Sequence, residues 1–278
     1  ISRIKKSDGI NAKPDLNIFK DKVAVVMQGP IVSKDNFTFE TLMIYRKRFP
    51  DLILILSTWD NYPNHELDKF RKNYIEIVRS IKPMNFGYSN INLQIESTKN
   101  GILRANELGA KYCLRTRTDQ RIYRHDFIQF FISLLHLFPI NNHKRIRGRL
   151  ISISLNTFKY RLYGITDMFT FGFIEDMLLF WDIEHDNRDL DEINSGTSVL
   201  DWSRARICEV FLVTQYLERI GHTPLYTIKD SWEVFSNYFC IIDKSSIDLL
   251  WFKYNRWNEN RRYVNSYRKL DEELAFSD

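Results

Sequence analysis

The sequence lacks most of the patterns that assign a chain to a familiar class of enzyme or binding protein. Its three cysteines, Cys113, Cys208 and Cys240, stand singly, without the paired spacing of a zinc site. An odd number of scattered cysteines, with no secretory segment before them, predicts a reducing, cytoplasmic compartment. The G-x-G-x-x-G fingerprint, the phosphate-binding P-loop, the G-x-S-x-G elbow and the H-E-x-x-H zinc motif are all absent.

A hydrophobic run long enough to span a membrane is also missing. The longest apolar stretch, FIQFFISLLHLFPI at residues 127–140, is shorter than the roughly 20 residues of a spanning helix and contains Gln129 and His136. It predicts a core helix, with docking on a membrane surface as the alternative. The net charge of +5 is too small to indicate a nucleic-acid-binding protein, and it suits an anionic membrane surface or a diphosphate substrate equally.

The sequence does contain a repeated alternation of apolar strands and amphipathic helices. Four apolar runs predict strands, at 22–30, 52–58, 74–78 and 112–114. The segments between them predict helices, at 37–49, 67–73 and 92–108. This order predicts an α/β fold with a doubly wound, mostly parallel sheet that is flanked by helices.

The C-terminal half predicts fewer and less regular elements. We expect three helices, at 124–138, 174–181 and 207–220, and three strands, at 151–155, at 232–242 and one that ends at Gly172. The acid-rich segment 182–192 predicts an exposed, mobile loop. We expect three parts along the chain: a loose leader at 1–21, one domain at 22–245, and a basic, aromatic tail at 246–278.

A cluster of charged residues follows the predicted strand at 112–114. It holds Arg115, Arg117 and Arg121 together with one acid, Asp119. In open α/β sheets ligands bind at the carboxyl ends of strands, so these cations predict an anionic ligand such as a phosphate. A carboxylate there is also able to hold a divalent cation that bridges to diphosphate oxygens. The alternative is an Arg–Asp pair that only closes a loop.

Three other features are candidates for binding or catalysis. The turn at Gly29 and Pro30 ends the first strand and gives backbone N–H groups room to approach a nucleotide. Asp167 precedes a predicted strand, where it binds an acceptor or sugar, or else only forms a turn. Glu209 stands in the first turn of a helix, where its carboxylate complements the helix dipole.

These stretches resemble the WavE family of lipopolysaccharide-synthesis glycosyltransferases. The resemblance rests on VVMQGPI at 25–31, the block at 91–122, ITDMFTFG at 165–172 and the helix from Glu209, and it runs from about residue 23 to 242. It implies a GT-A-like fold, a nucleotide-sugar donor that is UDP-linked, and a hexosyltransferase that extends a bacterial surface glycan such as lipopolysaccharide or O-antigen. Only the last acid of the DxD-type motif of GT-A enzymes is present, as Asp119. Two alternatives stay open: Mn²⁺ or Mg²⁺ on Asp119, or metal-independent binding with Arg117 and Arg121 as counter-charges.

The predicted architecture and the resemblance together assign residues to the two substrates. For the donor we expect contacts from the first turn, the long helix and the charged cluster: Gln28, Gly29, Pro30, Gln94, Ser97, Arg104, Arg117, Asp119 and Arg121. For catalysis we expect Glu209 as the base, with Asp167 as the alternative base or as an acceptor ligand. The resemblance implies a lipid-linked or oligosaccharide acceptor.

A second class of function competes with the glycosyltransferase. The tail from 249 to 269 interleaves aromatic and basic residues, and the segment 141–149 is basic. Such surfaces stack on sugars or bases, or lie at a membrane interface, so the alternative is a non-catalytic glycan- or nucleic-acid-binding protein. For the transferase we expect no nucleic-acid partner and peripheral contact with the cytoplasmic face of the inner membrane.

Overall fold

The computed structural model describes residues 5–9, 21–140, 143–189 and 198–254. Its main sheet has seven strands: β1 Val23–Gln28, β2 Ile53–Trp59, β3 Glu76–Ser80, β4 Tyr112–Arg117, β6 Leu150–Ile153, β7 Thr170–Phe173 and β8 Phe239–Ile242. A second sheet pairs two short strands, β5 Gln120–Ile122 and β9 Leu249–Trp251.

The main sheet is mostly parallel, in the order β3-β2-β1-β4-β7-β6-β8. The first four strands in that order are parallel to one another, and β6 is parallel to β8. Only β7 is antiparallel to its neighbours, β4 and β6. The prediction of an α/β chain with a mostly parallel, helix-flanked sheet is therefore confirmed.

Helices cover both faces of this sheet. Their bounds are α1 Phe37–Arg48, α2 Asn64–Arg71, α3 Ile91–Glu107, α4 Phe127–Leu137, α5 Ile174–Trp181, α6 Val199–Arg204, α7 Cys208–Ile220 and α8 Ile228–Tyr238. Side chains alternate along β1, so Ala24 and Val26 pack with α3, α5 and α7, whereas Val25 and Met27 pack with α1 and α4. Within the described ranges, none of the helices is both long enough and apolar enough to cross a bilayer.

Helix α3 lies unusually close to the sheet, because Gly101 faces β1. A Cβ atom added to Gly101 would stand 2.4 Å from Cγ1 of Val26, which is inside any real contact. The missing side chain lets the helix backbone approach the strand. This approach fixes the polar N-terminal turns of α3 against the ends of β1 and β2, where Ser57 Oγ donates to the carbonyl of Ser97 at 2.5 Å.

The predicted strand at 232–242 is wrong over most of its length. Residues Ile228–Tyr238 form α8, and only Phe239–Ile242 form a strand. Thr227 caps the helix by accepting a hydrogen bond from the Asp230 amide at 3.1 Å. The third predicted strand also starts two residues later than expected, at Glu76.

The acid-rich segment is partly anchored, so the prediction of an exposed loop is wrong for Asp186. Its side chain is only 1% exposed and binds Arg188, and its backbone exchanges two hydrogen bonds with the Asn92 side chain. Residues 190–192 lie outside the described residues. So do most of the predicted leader and the tail beyond residue 254; of the tail, Leu249–Trp251 pairs with β5.

Candidate active site

Most of the predicted site residues lie at one edge of the main sheet. Because β1 and β4 are parallel, their carboxyl ends, Gln28 and Arg117, share this edge. Strand β7 begins there because it is antiparallel to β4, and β6 ends there because it is antiparallel to β7. We call it the carboxyl edge, and it is the side of an α/β sheet at which ligands bind.

The turn after β1 is held against the turn after β4. Thr118 Oγ1 donates to the carbonyl of Pro30 at 2.6 Å, and the Gln28 side chain accepts from Ser97 Oγ at 2.9 Å. Gly29 has a φ of +119°, and a Cβ atom there would meet Thr118 Oγ1 at 3.1 Å. The position therefore favours glycine, and the structure brings Gln28, Gly29, Pro30 and Ser97 together, while their role in donor binding stays a prediction.

Asp119 is engaged by two partners at this edge. It accepts hydrogen bonds from Arg117 Nε at 2.9 Å and from the indole N–H of Trp251 at 2.8 Å. Burial alone would raise the pKa of Asp119, but the charge and hydrogen bonds of Arg117 and the bond from Trp251 outweigh it and hold the pKa below its ordinary value. Arg117 also lies over the Trp251 ring, 5.5 Å from its centroid.

A divalent cation would bind Asp119 only if it displaced Arg117 or Trp251, the present partners of the carboxylate. Both carboxylate oxygens are occupied by donors, Arg117 and Trp251. In the part of the chain that the structure describes, no three His, Cys, Asp or Glu side chains group in a way that holds a metal ion. A cation on Asp119 therefore stays a prediction.

Asp167 belongs to a buried polar network. The Gln94 side chain donates to its carboxylate, and Arg115 donates to its backbone carbonyl and, at 2.8 Å, to the Gln94 side-chain oxygen. Arg115 is fully buried and stacks on Trp181, with 4.6 Å between the guanidinium carbon and the ring centroid. Burial lowers the pKa of Arg115 to about 9, although the Asp167 charge opposes this shift.

Glu209 lies in the first turn of α7 and is held in place by three neighbours. It accepts hydrogen bonds from the Asn156 amide and from Cys208 Sγ at 2.9 Å, and Arg161 lies 3.9 Å away. Burial raises the pKa of the Cys208 thiol well above its ordinary value, and the charges of Glu209 and Asp167 act in the same direction. The structure thus brings the two predicted catalytic acids close to one thiol.

Two predicted donor-site residues lie away from this cluster. Arg104 is ten residues beyond Gln94, about 15 Å along α3, and it binds Glu76 and Glu107 at 3.0 and 2.8 Å. Arg121 lies on the α1 face of the sheet, where it donates to Thr41 Oγ1 at 2.8 Å. There it lines a separate cavity of about 880 Å³.

Sequence reasoning missed three residues of the site and gave a fourth the wrong role. Asn156, Arg161 and Cys208 hold Glu209. Arg115, predicted with the charged cluster to face an anionic ligand, is instead fully buried and holds Gln94 and Asp167. Arg115 carries one usable signal, because it stands inside an apolar strand where an unpaired charge is very costly. The other three carry none, since nothing in the sequence around them indicates that Glu209 is their common partner.

The sequence model of the family described as WavE lipopolysaccharide synthesis matches residues 23–210. No curated protein matches significantly. Among solved structures, the chain is similar to the mannose-1-phosphate geranyltransferase from Thermus thermophilus, at 11% identity and a TM-score of 0.30, over 52% of this chain and 44% of that one. The chain therefore spans less than half the length of that structure, and a likeness this low does not bear on function.

Proposed function

This chain belongs to the WavE lipopolysaccharide synthesis family, and from that membership we propose that it is a glycosyltransferase with a GT-A-like fold. In this proposal it moves a hexose from a nucleotide-sugar donor, UDP-linked by preference, to a bacterial surface glycan such as lipopolysaccharide or O-antigen. The acceptor is a lipid-linked or free oligosaccharide. The observation that carries the proposal is that both acids lie at the carboxyl edge: Asp167 precedes β7, which begins there, and Glu209 is bound by Asn156, which follows β6.

The donor half of the proposal rests on the ends of β1 and β4. The missing side chain of Gly29 lets this turn pack against Thr118, and in the proposal the nucleotide lies along the backbone of the turn. Arg117 adds a positive charge beside that turn, which would stabilise the departing diphosphate. Asp119 fixes the direction of the Arg117 side chain through a two-pronged ion pair.

The acceptor half rests on Glu209 and Asp167. As the new bond forms to the anomeric carbon, the acceptor hydroxyl must lose its proton, and Glu209 is the group that would take it. Asn156 and Cys208 hold the Glu209 carboxylate in one orientation, which a base needs in order to meet that hydroxyl. Asp167, fixed by Gln94, would bind a neighbouring hydroxyl of the acceptor.

A donor screen tests this proposal directly. The purified chain is incubated with UDP-, GDP- and CMP-sugars, and the release of nucleotide is measured with and without EDTA. We expect slow hydrolysis of one donor class, and a higher melting temperature in its presence, because a ligand that binds only the folded state stabilises it. Absence of both effects with every donor, together with salt-sensitive binding to nucleic acid, would favour the non-catalytic alternative.

A further inference from the structure

Large apolar side chains are exposed mainly at the carboxyl edge. Nine such side chains are exposed in the described part of the chain, and six of them lie at this edge in two groups. The first group, called the β3 flank, is Ile81, Met84 and Phe86. The second group, called the β6 flank, is Tyr160, Leu225 and Ile228. An apolar surface that is kept in water usually marks a site of contact with a partner.

The β3 flank is a connection between β3 and α3 that is held in place. Its side chains are 76%, 103% and 46% exposed, in the order Ile81, Met84, Phe86. The loop is anchored by the Asn92 side chain, which donates to the carbonyl of Asn85 at 3.1 Å. This bond holds the loop at Asn85 against the start of α3, so the three exposed apolar side chains of the loop stay at the carboxyl edge.

The β6 flank joins the loop after β6 to the start of α8. Tyr160, Leu225 and Ile228 are 51%, 67% and 47% exposed. The two segments are tied together by the indole N–H of Trp232, which donates to the carbonyl of Lys159 at 2.7 Å. A second tie runs from the Tyr226 amide to the Tyr163 hydroxyl, at 2.8 Å.

The distance between the two flanks sets a minimum width for a partner that contacts both of them. Five strand-to-strand steps separate β3 from β6 in the sheet order, which corresponds to about 24 Å. The ends of β1 and β4, and with them the candidate active site, lie between the flanks. A partner that contacts both flanks must therefore be wide and flat, and a bilayer surface meets that requirement without any specific shape.

The charges within the two flanks are positive, which suits an anionic bilayer. The runs 81–87, 158–163 and 225–229 contain Lys82, Lys159, Arg161 and Lys229 and no acid, although Arg161 lies against Glu209 and Lys229 pairs with Glu233. Exposed acids at the same edge weaken this attraction: Asp35 after β1, Asp60 after β2, and Glu184 and Asp189 on the α3 side. We therefore expect apolar contact to supply most of the affinity and charge to add to it.

We propose that the carboxyl edge docks on an anionic bilayer surface, with both flanks entering the headgroup region and the candidate active site facing the lipid between them. Tyrosine, lysine and long apolar side chains are the residues that such an interface accommodates. The proposal goes beyond the transferase and does not depend on it, because membrane docking is measured without any sugar donor.

Vesicle sedimentation tests the docking with a matched control. The full chain is mixed with vesicles of phosphatidylethanolamine and phosphatidylglycerol, or of phosphatidylcholine alone, and the bound fraction is measured. We expect Met84→Glu and Leu225→Glu each to weaken binding to the anionic vesicles about tenfold, since each removes an inserted apolar group. The control is Tyr74→Glu, because Tyr74 is 88% exposed but precedes β3 and so lies at the opposite edge. It should bind like the unaltered chain.

Other results would overturn the proposal. An unaltered chain that stays in the supernatant with both vesicle types has no docking surface, and equal losses in all three variants would place the contact elsewhere. Equal binding to both vesicle types would remove the preference for anionic lipid. Self-association that Met84→Glu abolishes would identify a second copy of the chain as the partner. Melting temperatures of the variants, all at exposed positions, report whether each is folded.

Discussion

Arg115 Nη2 lies 2.8 Å from the side-chain oxygen of Gln94, and Gln94 in turn donates to the carboxylate of Asp167. The buried guanidinium of Arg115 therefore positions the Asp167 carboxylate indirectly, through the side-chain amide of Gln94. Arg115 fixes the orientation of the Gln94 amide. Because the amide oxygen accepts from Arg115, the NH₂ group must point toward Asp167. Arg115 also holds the Asp167 backbone directly, so one cation positions both ends of this residue.

Replacing Arg115 by lysine should destabilise the fold by about 2–3 kcal/mol, because a single ammonium group cannot reach every partner of the buried guanidinium and leaves buried acceptors unpaired. Urea unfolding measures this change. Arg104→Lys is the control, since Arg104 is a surface residue whose ion pairs contribute little. Similar unfolding midpoints for both variants would contradict the structural role of Arg115.

Glu209→Gln should lower kcat for transfer by about 10²–10⁴-fold while donor binding is retained. The glutamine keeps an oxygen for Asn156 but cannot take a proton from the acceptor. Glu218→Gln, in the last turn of the same helix, is the control and should be close to unaltered in activity. Asp167→Asn should mainly raise the acceptor KM. If Glu209→Gln keeps a near-normal kcat, the base is Asp167, or the mechanism uses no base at this position.

Trp251→Phe should reduce stability by about 1 kcal/mol at neutral pH, because Asp119 loses a hydrogen bond. Burial alone would raise the pKa of Asp119, but Arg117 and Trp251 together lower it by more than burial raises it. The folded pKa of Asp119 therefore lies below the unfolded value of about 3.9. Stability from this group is therefore present above the unfolded pKa and is lost as the pH falls through the folded pKa. The deficit of the variant should therefore shrink as the pH falls below the unfolded pKa, as measured by urea unfolding.

The matched control for that series is Trp232→Phe. The indole N–H of Trp232 donates to a backbone carbonyl, which does not titrate, so the deficit of this variant should be the same in neutral and in acidic solution. A pH-independent deficit for Trp251→Phe as well would show that the Trp251 bond does not contribute to the low pKa of Asp119.

Asp176 should make the fold less stable as the pH rises from about 4 to about 6. Burial raises its pKa to about 6, although the amides of Arg147 and Gly148 donate to it at 3.0 and 2.8 Å and oppose the shift. In that range the folded state therefore binds more protons than the unfolded state, and stability declines by at most about 2–3 kcal/mol. Asp176→Asn should lack this decline in unfolding measurements across that range, whereas Glu175→Gln should keep it. Parallel curves for Asp176→Asn and the unaltered chain would contradict the assignment.

The elements that carry the donor half of the site are predictable because their signals are local. The helix that ends near Gly109 and the strand after it follow from an apolar stripe and a glycine cap, and Gly109 does adopt a φ of +78°. The contact between Gln28 and Ser97 then follows from the geometry of a strand end and the helix packed over it. Only short-range periodicity and the rules for parallel sheets are needed to reach it.

The rest of the site depends on information that one sequence does not display. Sequence proximity groups Arg121 with Arg117, but the turn at Thr118 and Asp119 sends the chain to the other face of the sheet. Arg104 shares a helix with Gln94, yet the rise of the helix carries it toward the opposite edge. The aromatic residues between 232 and 238 suggest a strand, but these residues form a helix. Its start is set outside that run, by Thr227, which caps the helix N-terminus.

The bond between Asp119 and Trp251 also sets an order of assembly. These residues are 132 positions apart, so at about 5–20 residues per second a ribosome needs roughly 7–26 s to deliver the second after the first. During that interval Asp119 has Arg117, its neighbour in sequence, but β5 still lacks the strand that pairs with it. An open strand edge on a nascent chain attracts other chains or a chaperone. The candidate active site is thus completed only after β9 has been made and closes over an edge that the emerging chain has until then left unprotected.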